Sequence, residues 1–371
     1  MKKLLYTLLA VSLIFSACEK ENEEPTNTTT TIPHTYINHP NSTLTIILDA
    51  NFEQKLINLG YDNNLNGSVH TSDIVNITSL TLDSLDIANL TGIENFTALT
   101  YLSCKSNQLT SLYLSRNTAL TYLICDDNQL TTLDVSNNSL YYLDCHYNQL
   151  TSLDVSQNTA LTYLYCNNNQ LTSLDVSGAT ALNKLYCLGN QLTSLDVSTN
   201  LALTTLYCNN QLTSLDVSTN LALTNLSCSG NQLTSLDVSQ NTALTYLWCE
   251  GNQLTTLDVS NNSLYFLDCG NNQLTSLDVS TNLALDYLQC EGNQITTLDL
   301  SNNLALTYLI CDDNQLTSLD VRNGNNTNFN LFDATNNPNL SCINVDNFQY
   351  SYDNWFNIDG QMYFSEDCSG K

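Results

Sequence analysis

From Leu99 onward the chain repeats one pattern of apolar and polar positions, L-x-x-L-x-C-x-x-N-Q-[LI], followed with few exceptions by T-x-L-D-V-S-x-N. In "YLYC", and again in "LTSLDV", apolar residues alternate with polar or aromatic ones, the period of a strand with one buried face. Eleven copies begin at Leu99, Leu120, Leu140, Leu161, Leu182, Leu203, Leu223, Leu244, Leu264, Leu285 and Leu306, 21 or 20 residues apart. Self-similarity at such a period points to stacked coils rather than to the two or three domains that 371 residues would otherwise suggest. Each coil is expected to hold two short extended segments joined by corners, about 4.8 Å from its neighbours.

The copies starting at Leu120, Leu203 and Leu244 are one residue short. A deletion inside a strand would turn every later side chain to the wrong face. All three fall at corners instead: "NNSL" replaces "QNTAL" twice and "CNNQ" replaces "CNNNQ" once. Asparagines recur at these corners, as at Asn107, Asn128, Asn148 and Asn169 after the cysteine and at Asn117, Asn138 and Asn158 after the valine. Their amides can serve backbone groups that turning would leave buried and unpaired.

The recurrent cysteines, from Cys104 and Cys125 through Cys290 and Cys311, occupy inward positions, where a free thiol behaves as a small polarizable hydrophobe. Neighbours in register point the same way, which suits disulfide geometry poorly, and eleven is odd. The column is read as reduced core. The repeat resembles the leucine-rich repeat, and its cysteine makes it similar to the cysteine-ladder subtype of the internalin family. That resemblance implies a leucine-rich repeat solenoid used in adhesion or protein binding. With both long sides strand-like, mainly short parallel β-strands and shallow curvature are expected.

A solenoid needs covered ends. In "DANFEQKLINLG", Asp49 is a helix N-cap, Phe52, Leu56 and Leu59 share one face, and Gly60 is a stop. Ile77, Leu80 and Leu82 stand 22 residues ahead of Leu99, Leu102 and Cys104, so Leu82 takes the cysteine's place in a first coil. "LTGIENFTALTYL" then resembles the opening repeat of an internalin. At the far end Phe329, Phe332, Ala334 and Asn337 trace a degenerate coil, and Cys342 and Cys368 flank an aromatic segment. In an oxidising compartment these two are expected to form one bridge, closing the C-terminal cap.

Ahead of the coils, "MKKLLYTLLAVSLIFSAC" has two lysines, an apolar run from Leu4 to Phe15 too short to span a bilayer, and small residues before Cys18. It resembles a bacterial lipoprotein signal, which implies lipid on Cys18; an ordinary signal peptide shares the pattern. The following "EKENEEPTNTTTTIPHTYINHP" cannot bury a core and reads as a tether. "EKENEE" looks like the charged run associated, in some Gram-negative lipoproteins, with export to the outer surface. The resulting organisation is signal peptide 1–17, tether 18–43, N-terminal cap and cysteine-free repeat 44–98, cysteine-ladder repeats 99–326, and degenerate repeat with C-terminal cap 327–371. The expected location is the outer membrane, lipid-anchored and facing outward.

Nine Lys and Arg against 36 Asp and Glu give a net charge of -27, which would repel nucleic acid. Ten aspartates, Asp134 through Asp320, form an acidic stripe read as a soluble, aggregation-resistant face. The four histidines show no ligand spacing, and no phosphate-cradling or nucleophile motif is present, so no catalytic residues and no enzyme activity are expected. One cofactor candidate stands out. Asp62, Asn64, Asn66 and Gly67 match D-x-[DN]-x-[DN]-G, with Val69 apolar and Asp73 twelfth, a calcium-loop pattern. A polar turn after the cap helix is the plainer reading.

The outward positions of the cysteine-bearing strand are aromatic almost throughout. Tyr101, Tyr122, Tyr142 and Tyr163 give way to Lys184, Thr205 and Asn225, then to Tyr246, Phe266, Tyr287 and Tyr308; two residues on, Tyr165, Tyr186, Tyr207 and Trp248 bridge the gap. Tyr163, Tyr165, Tyr186, Tyr207, Tyr246 and Trp248 are the expected ligand-binding face, although cross-strand stacking alone also accounts for such a row. The expected molecule is a monomer that meets a protein or a glycan at the cell surface; an envelope spacer is the third reading.

Overall fold

In the computed structural model, residues 43–369 are described; Cys18, the signal sequence and residues 18–42 lie outside them. At the N-terminal end β1 (Leu44–Ile46) pairs antiparallel with β2 (Ser68–His70), and between them runs α1 (Ala50–Asn58). Asp49 caps α1 as expected: its Oδ1 accepts the Asn51 and Phe52 N–H groups, while Oδ2 accepts those of Ala88 and Asn89 and so ties the cap to the first coil. Phe52 and Leu56 are fully buried, but Leu59 is 39% exposed. The helix ends at Asn58, so Leu59 leaves the apolar face that helical spacing assigned to it. A short helix, α2 (Thr71–Ile74), leads into the solenoid.

One parallel sheet of 13 strands runs along the solenoid. Its members are β3 (Ser79–Thr81), β4 (Tyr101–Ser103), β5 (Tyr122–Ile124), β6 (Tyr142–Asp144), β7 (Tyr163–Tyr165), β8 (Lys184–Tyr186), β9 (Thr205–Tyr207), β10 (Asn225–Ser227), β11 (Tyr246–Trp248), β12 (Phe266–Asp268), β13 (Tyr287–Gln289), β15 (Tyr308–Ile310) and β17 (Leu331–Asp333). Consecutive coils pair in register, Leu102 with Leu123 with Leu143, so each inward side chain meets its own kind. The Leu and Cys columns are fully buried, with Leu82 starting the cysteine column as expected.

On the opposite side the expectation of a strand in every coil fails. Among the described residues a ladder forms there only at the C-terminal end, in β14 (Thr297–Asp299), β16 (Ser318–Asp320), β18 (Cys342–Asn344) and β19 (Tyr363–Ser365), with one further bridge at Asp154 and Asp175. Elsewhere the first two N–H groups of "QLTSLDVS" and the last find other acceptors. Gln129 N–H donates to Leu109 O, Leu130 N–H to Asn148 Oδ1, and Ser136 N–H to Asp134 Oδ1, and the later coils repeat this set. With those donors engaged, alternation buries Leu and Val without a second ladder.

The corner asparagines do what their spacing suggested. Asn128 Nδ2 donates to Cys104 O of the preceding coil and Cys125 O of its own, while its Oδ1 accepts Leu109 N–H. In the second asparagine column the Oδ1 atoms of Asn117, Asn138, Asn200, Asn220, Asn241, Asn262 and Asn303 have no protein partner, whereas Asn158 and Asn282 accept Leu140 and Leu264 N–H. Those two leucines follow the shortened "NNSL" corners, where the usual turn bond, as from Leu161 N–H to Asn158 O, is missing. The third deletion removes a left-handed residue. Other coils place Asp127, Tyr147, Asn168, Gly189 or Gly230 at positive φ two residues after the cysteine, and the coil of Cys208 has none.

The C-terminal cap holds α3 (Phe348–Asn354) and the expected Cys342–Cys368 bridge, with Cα atoms 5.9 Å apart. All eleven ladder cysteines are free and buried. No helix among the described residues is long and apolar enough to cross a membrane.

Candidate functional site: the outward face of the main sheet

Alternation turns the first and third residues of each main-sheet strand outward, and stacking in register brings those residues into two columns. Ring contacts then run unbroken from Tyr101 to Tyr308. The path follows Tyr101, Tyr122 and Tyr142, crosses to the next column at Tyr165, continues through Tyr186, Tyr207 and Trp248, and returns at Phe266 to Tyr287 and Tyr308. Successive centroids lie 4.4 to 6.3 Å apart. Lys184, Thr205 and Asn225 interrupt the first column where the path has moved to the second. Tyr207 and Trp248 are two coils apart yet touch at 5.8 Å, because Ser227, in register between them, is small and lies buried below.

Contact covers the rings. Tyr186, Tyr207 and Trp248 are only 7%, 3% and 8% exposed, so they are not the open row expected from sequence; each leans on its neighbours along the column. Tyr163, Tyr165 and Tyr246 are half-buried. The open rings are Tyr141 and Tyr265, which pack on Tyr122 and Tyr163 and on Tyr246. Sequence reasoning missed them, although both directly follow an "NNSL" corner, where other coils carry Thr, Asn or Asp. The Tyr265 hydroxyl donates to Asp286, a bond that, with burial, pushes its pKa up to about 12.

Beside the rings, stacking assembles a cluster that linear spacing hid. His146 stands between Asp144, bonded to Nδ1, and Asp126, 3.8 Å from Nε2. Burial alone would lower the imidazole pKa, but the bond and charge of Asp144, with Asp126 and Asp127, hold it above the ordinary value. Asp126 is pushed up to about 6 by burial and by Asp144. Ligand atoms of Asp126, Asp144 and His146 lie within 4.8 Å of one another. The legible signal was one coil of offset: Asp126 and His146 each follow a cysteine in adjacent coils, and Asp144 precedes one.

At the calcium-like loop a protein carboxylate organises the backbone. Glu53 Oε1, from α1, accepts the N–H groups of Asn66, Gly67 and Ser68. Asn66 bonds to Asn64, Asp73 accepts the Ser72 hydroxyl, and Asp62 accepts Asn63 N–H through Oδ1 while its buried Oδ2 has no protein donor. Burial raises the Asp62 pKa. The acidic stripe also has a structural role, since Asp134, Asp175, Asp196, Asp216, Asp237 and Asp258 accept bonds from the serine two residues on, which lowers their pKa values.

A family model for "Leucine Rich repeats (2 copies)" matches residues 221–265. No curated protein matches the chain. Among solved structures, the functional domain of InlJ from Listeria monocytogenes, which includes a cysteine ladder, is 36% identical, covers 86% of this chain and 82% of its own, and superposes with a TM-score of 0.62. An internalin (inlF) from the same species is 23% identical over 87% of this chain and 96% of its own, TM-score 0.73. A leucine-rich repeat protein of Leptospira interrogans is 23% identical over 78% and 81%, TM-score 0.62. The last two likenesses establish the fold; the first, with its identity over most of both chains and the buried cysteine column found here, shows that the chain belongs to the internalin family of leucine-rich repeat proteins, in the form that carries a cysteine ladder.

Proposed function

We propose that this is a non-enzymatic surface lipoprotein, anchored through Cys18, that binds a protein partner along its aromatic ladder and thereby serves adhesion. The observation that carries the reading is the ring path from Tyr101 to Tyr308, with Tyr141 and Tyr265 open beside it and Tyr163, Tyr165 and Tyr246 half-open. Rigid aromatic side chains contribute contact area at small rotamer entropy and dominate many interfaces. Internalin-like folds are commonly protein-binding scaffolds, which supports a protein over a small-molecule ligand.

The test uses the soluble part, residues 41–371, in a pull-down from cell-surface protein extracts beside a glycan array. Tyr141, Tyr163, Tyr246 and Tyr265 are replaced together by Ser, because the covered rings Tyr186, Tyr207 and Trp248 cannot be removed without disturbing the fold. The expected result is saturable capture of a protein by the wild type and at least tenfold weaker capture by the variant. Capture of glycans alone would turn the reading to a glycan-binding protein of nutrient uptake, and no capture of either to a spacer. Placement is tested separately: protease added to intact cells should release the solenoid, and full protection would put it in the periplasm.

A further inference from the structure

The residues on either side of the cysteine are the ones this repeat leaves free to vary, and stacking composes them into neighbours. After the cysteine, successive coils carry Lys105, Asp126, His146 and Asn167; before it they carry Ser103, Ile124, Asp144 and Tyr165. Of the four histidines in the chain, His146 alone lies within the cysteine-bearing repeats. It stands between carboxyl groups from two different coils. All three side chains are mostly covered: His146 is 26% exposed, Asp126 13% and Asp144 14%.

The two nitrogens of the ring are used differently. Nδ1 is bonded to Asp144, two residues back in the same coil, and that bond fixes the ring. With the proton on Nδ1, the lone pair is on Nε2. Nε2 lies 3.8 Å from Asp126 Oδ2. A hydrogen bond needs about 3.2 Å or less, so the gap is too wide for one. A divalent ion about 2.1 Å from each donor spans up to about 4.2 Å between them, so the gap admits an ion. A carboxylate behind an imidazole, with the far nitrogen left to face a second donor, is how metal-ligating histidines are oriented and made more basic. Charge argues the same way. Two carboxylates this well covered repel each other, and one imidazolium offsets only one of them. Lys105 also attracts Asp126, from one coil before it. A divalent ion beside a neutral imidazole would offset both carboxylates. One nitrogen donor among oxygens, with the ladder thiols buried on the inward face, suits a borderline ion such as zinc; calcium and magnesium take oxygen ligands.

We propose that His146 Nε2 and Asp126 hold a divalent transition-metal ion of the zinc class on the outward face of the main sheet, with Asp144 as the carboxylate that orients the imidazole. Two protein ligands leave the remaining coordination positions to water. Asp144 is in register with Tyr165, which packs on Tyr142, so the ion stands where the ring path changes column. The site does not depend on the ladder being a protein-binding face, and its test is separate from that one.

The experiment titrates zinc chloride into chelator-treated residues 41–371 by calorimetry, with calcium chloride as a competitor; this part holds the whole core described above. Three single variants, His146→Asn, Asp126→Asn and Asp144→Asn, are compared with Asp216→Asn plus Asp237→Asn, which removes charge from the exposed stripe. The expected result is a single zinc ion per chain, bound at least tenfold more weakly by His146→Asn and Asp126→Asn. Asp144→Asn should weaken it roughly ten- to a hundredfold and the stripe variant less than twofold, and equimolar calcium should not compete. Zinc should raise the melting temperature of the wild type and leave that of His146→Asn where it was. Residues 41–371 contain two histidines, His70 and His146, so NMR of the unaltered chain gives a reading without substitution. Zinc should shift the His146 ring signals at Nε2 and spare His70. Absence of saturable zinc binding, undiminished binding by any of the three single variants, equal weakening by the stripe variant, displacement by calcium, or a shift at His70 alone would overturn the assignment. The NMR reading stands even where a variant fails to fold.

Discussion

Asn148 shows how much one side chain does in this repeat. Its Nδ2 serves Cys125 O and Cys145 O, and its Oδ1 serves Leu130 N–H, all of them buried. Asn148→Ala leaves these groups without partners and is expected to destabilise the protein by about 3 kcal/mol or more, read from denaturant midpoints. Thiol chemistry at the same scale is silent: burial pushes Cys187 up to about 12, and all eleven ladder thiols are buried. Labelling at pH 8 should find none of the eleven in the folded protein and all of them in denaturant; rapid native labelling would remove the column from the core. The carboxyl groups make stability depend on pH in two opposed ways. Asp126, Asp268 and Glu250 have raised folded pKa values, so their contribution is full at low pH and is lost as pH rises through those values. Asp134, Asp175, Asp196 and Asp258 of the stripe have lowered values, so theirs is present at higher pH and lost as pH falls below about 4. Melting temperature should therefore rise from pH 8 to pH 5 and fall again below pH 4, and Asp268→Asn should flatten the alkaline limb.

At the scale of the element, the aromatic column behaves as core at some rungs and as surface at others. Removing Tyr207 opens a hole between Tyr186 and Trp248 and is expected to cost about 3 kcal/mol or more, whereas Tyr265→Ser should stay within about 1 kcal/mol. Sequence period alone located these rings on one face and in one row, because strand alternation and coil spacing determine where Cα atoms go. It did not foretell which rings would be covered, since tilt depends on neighbours such as Ser227 that leave room for Trp248 to reach Tyr207. The missing second ladder has a like cause: alternation in "LTSLDV" records which side chains face inward, while the fate of each N–H depends on acceptors one coil away. His146 was overlooked for the same reason, its ligands being neighbours through stacking and not through spacing along the chain. At the N-terminal cap, Glu53 already gathers the loop N–H groups, so a calcium chelator should leave the melting temperature unchanged; a drop of several degrees would assign the loop to the ion.

Over the whole molecule each coil is stabilised chiefly by the coils beside it, so perturbations at an end should stay near that end. The Cys342–Cys368 bridge joins β18 to the segment after β19, the last two strands of the C-terminal ladder. Replacing both cysteines by Ser should lower the stability of that end by about 2 to 4 kcal/mol. Amide hydrogen exchange should then quicken in β16, β18 and β19 while β5 to β11 keep their protection; uniform loss along the chain would mean a single cooperative unit.

The three shortened coils acquire a meaning when the array is viewed as a nearly periodic lattice. Translating one half of it by a single coil would match leucine to leucine and cysteine to cysteine almost everywhere, so misthreaded stacks compete closely with the native one. The shortened corners break that translational symmetry. Leu140 and Leu264 N–H groups are accepted by Asn158 and Asn282, and a stack displaced by one coil would leave two buried donors facing coils that offer their own turn bonds instead. Restoring the missing residue in both "NNSL" corners should therefore yield a protein of similar native stability that refolds more slowly and with more aggregation, the deletions acting as fiducial marks by which the growing stack finds its alignment.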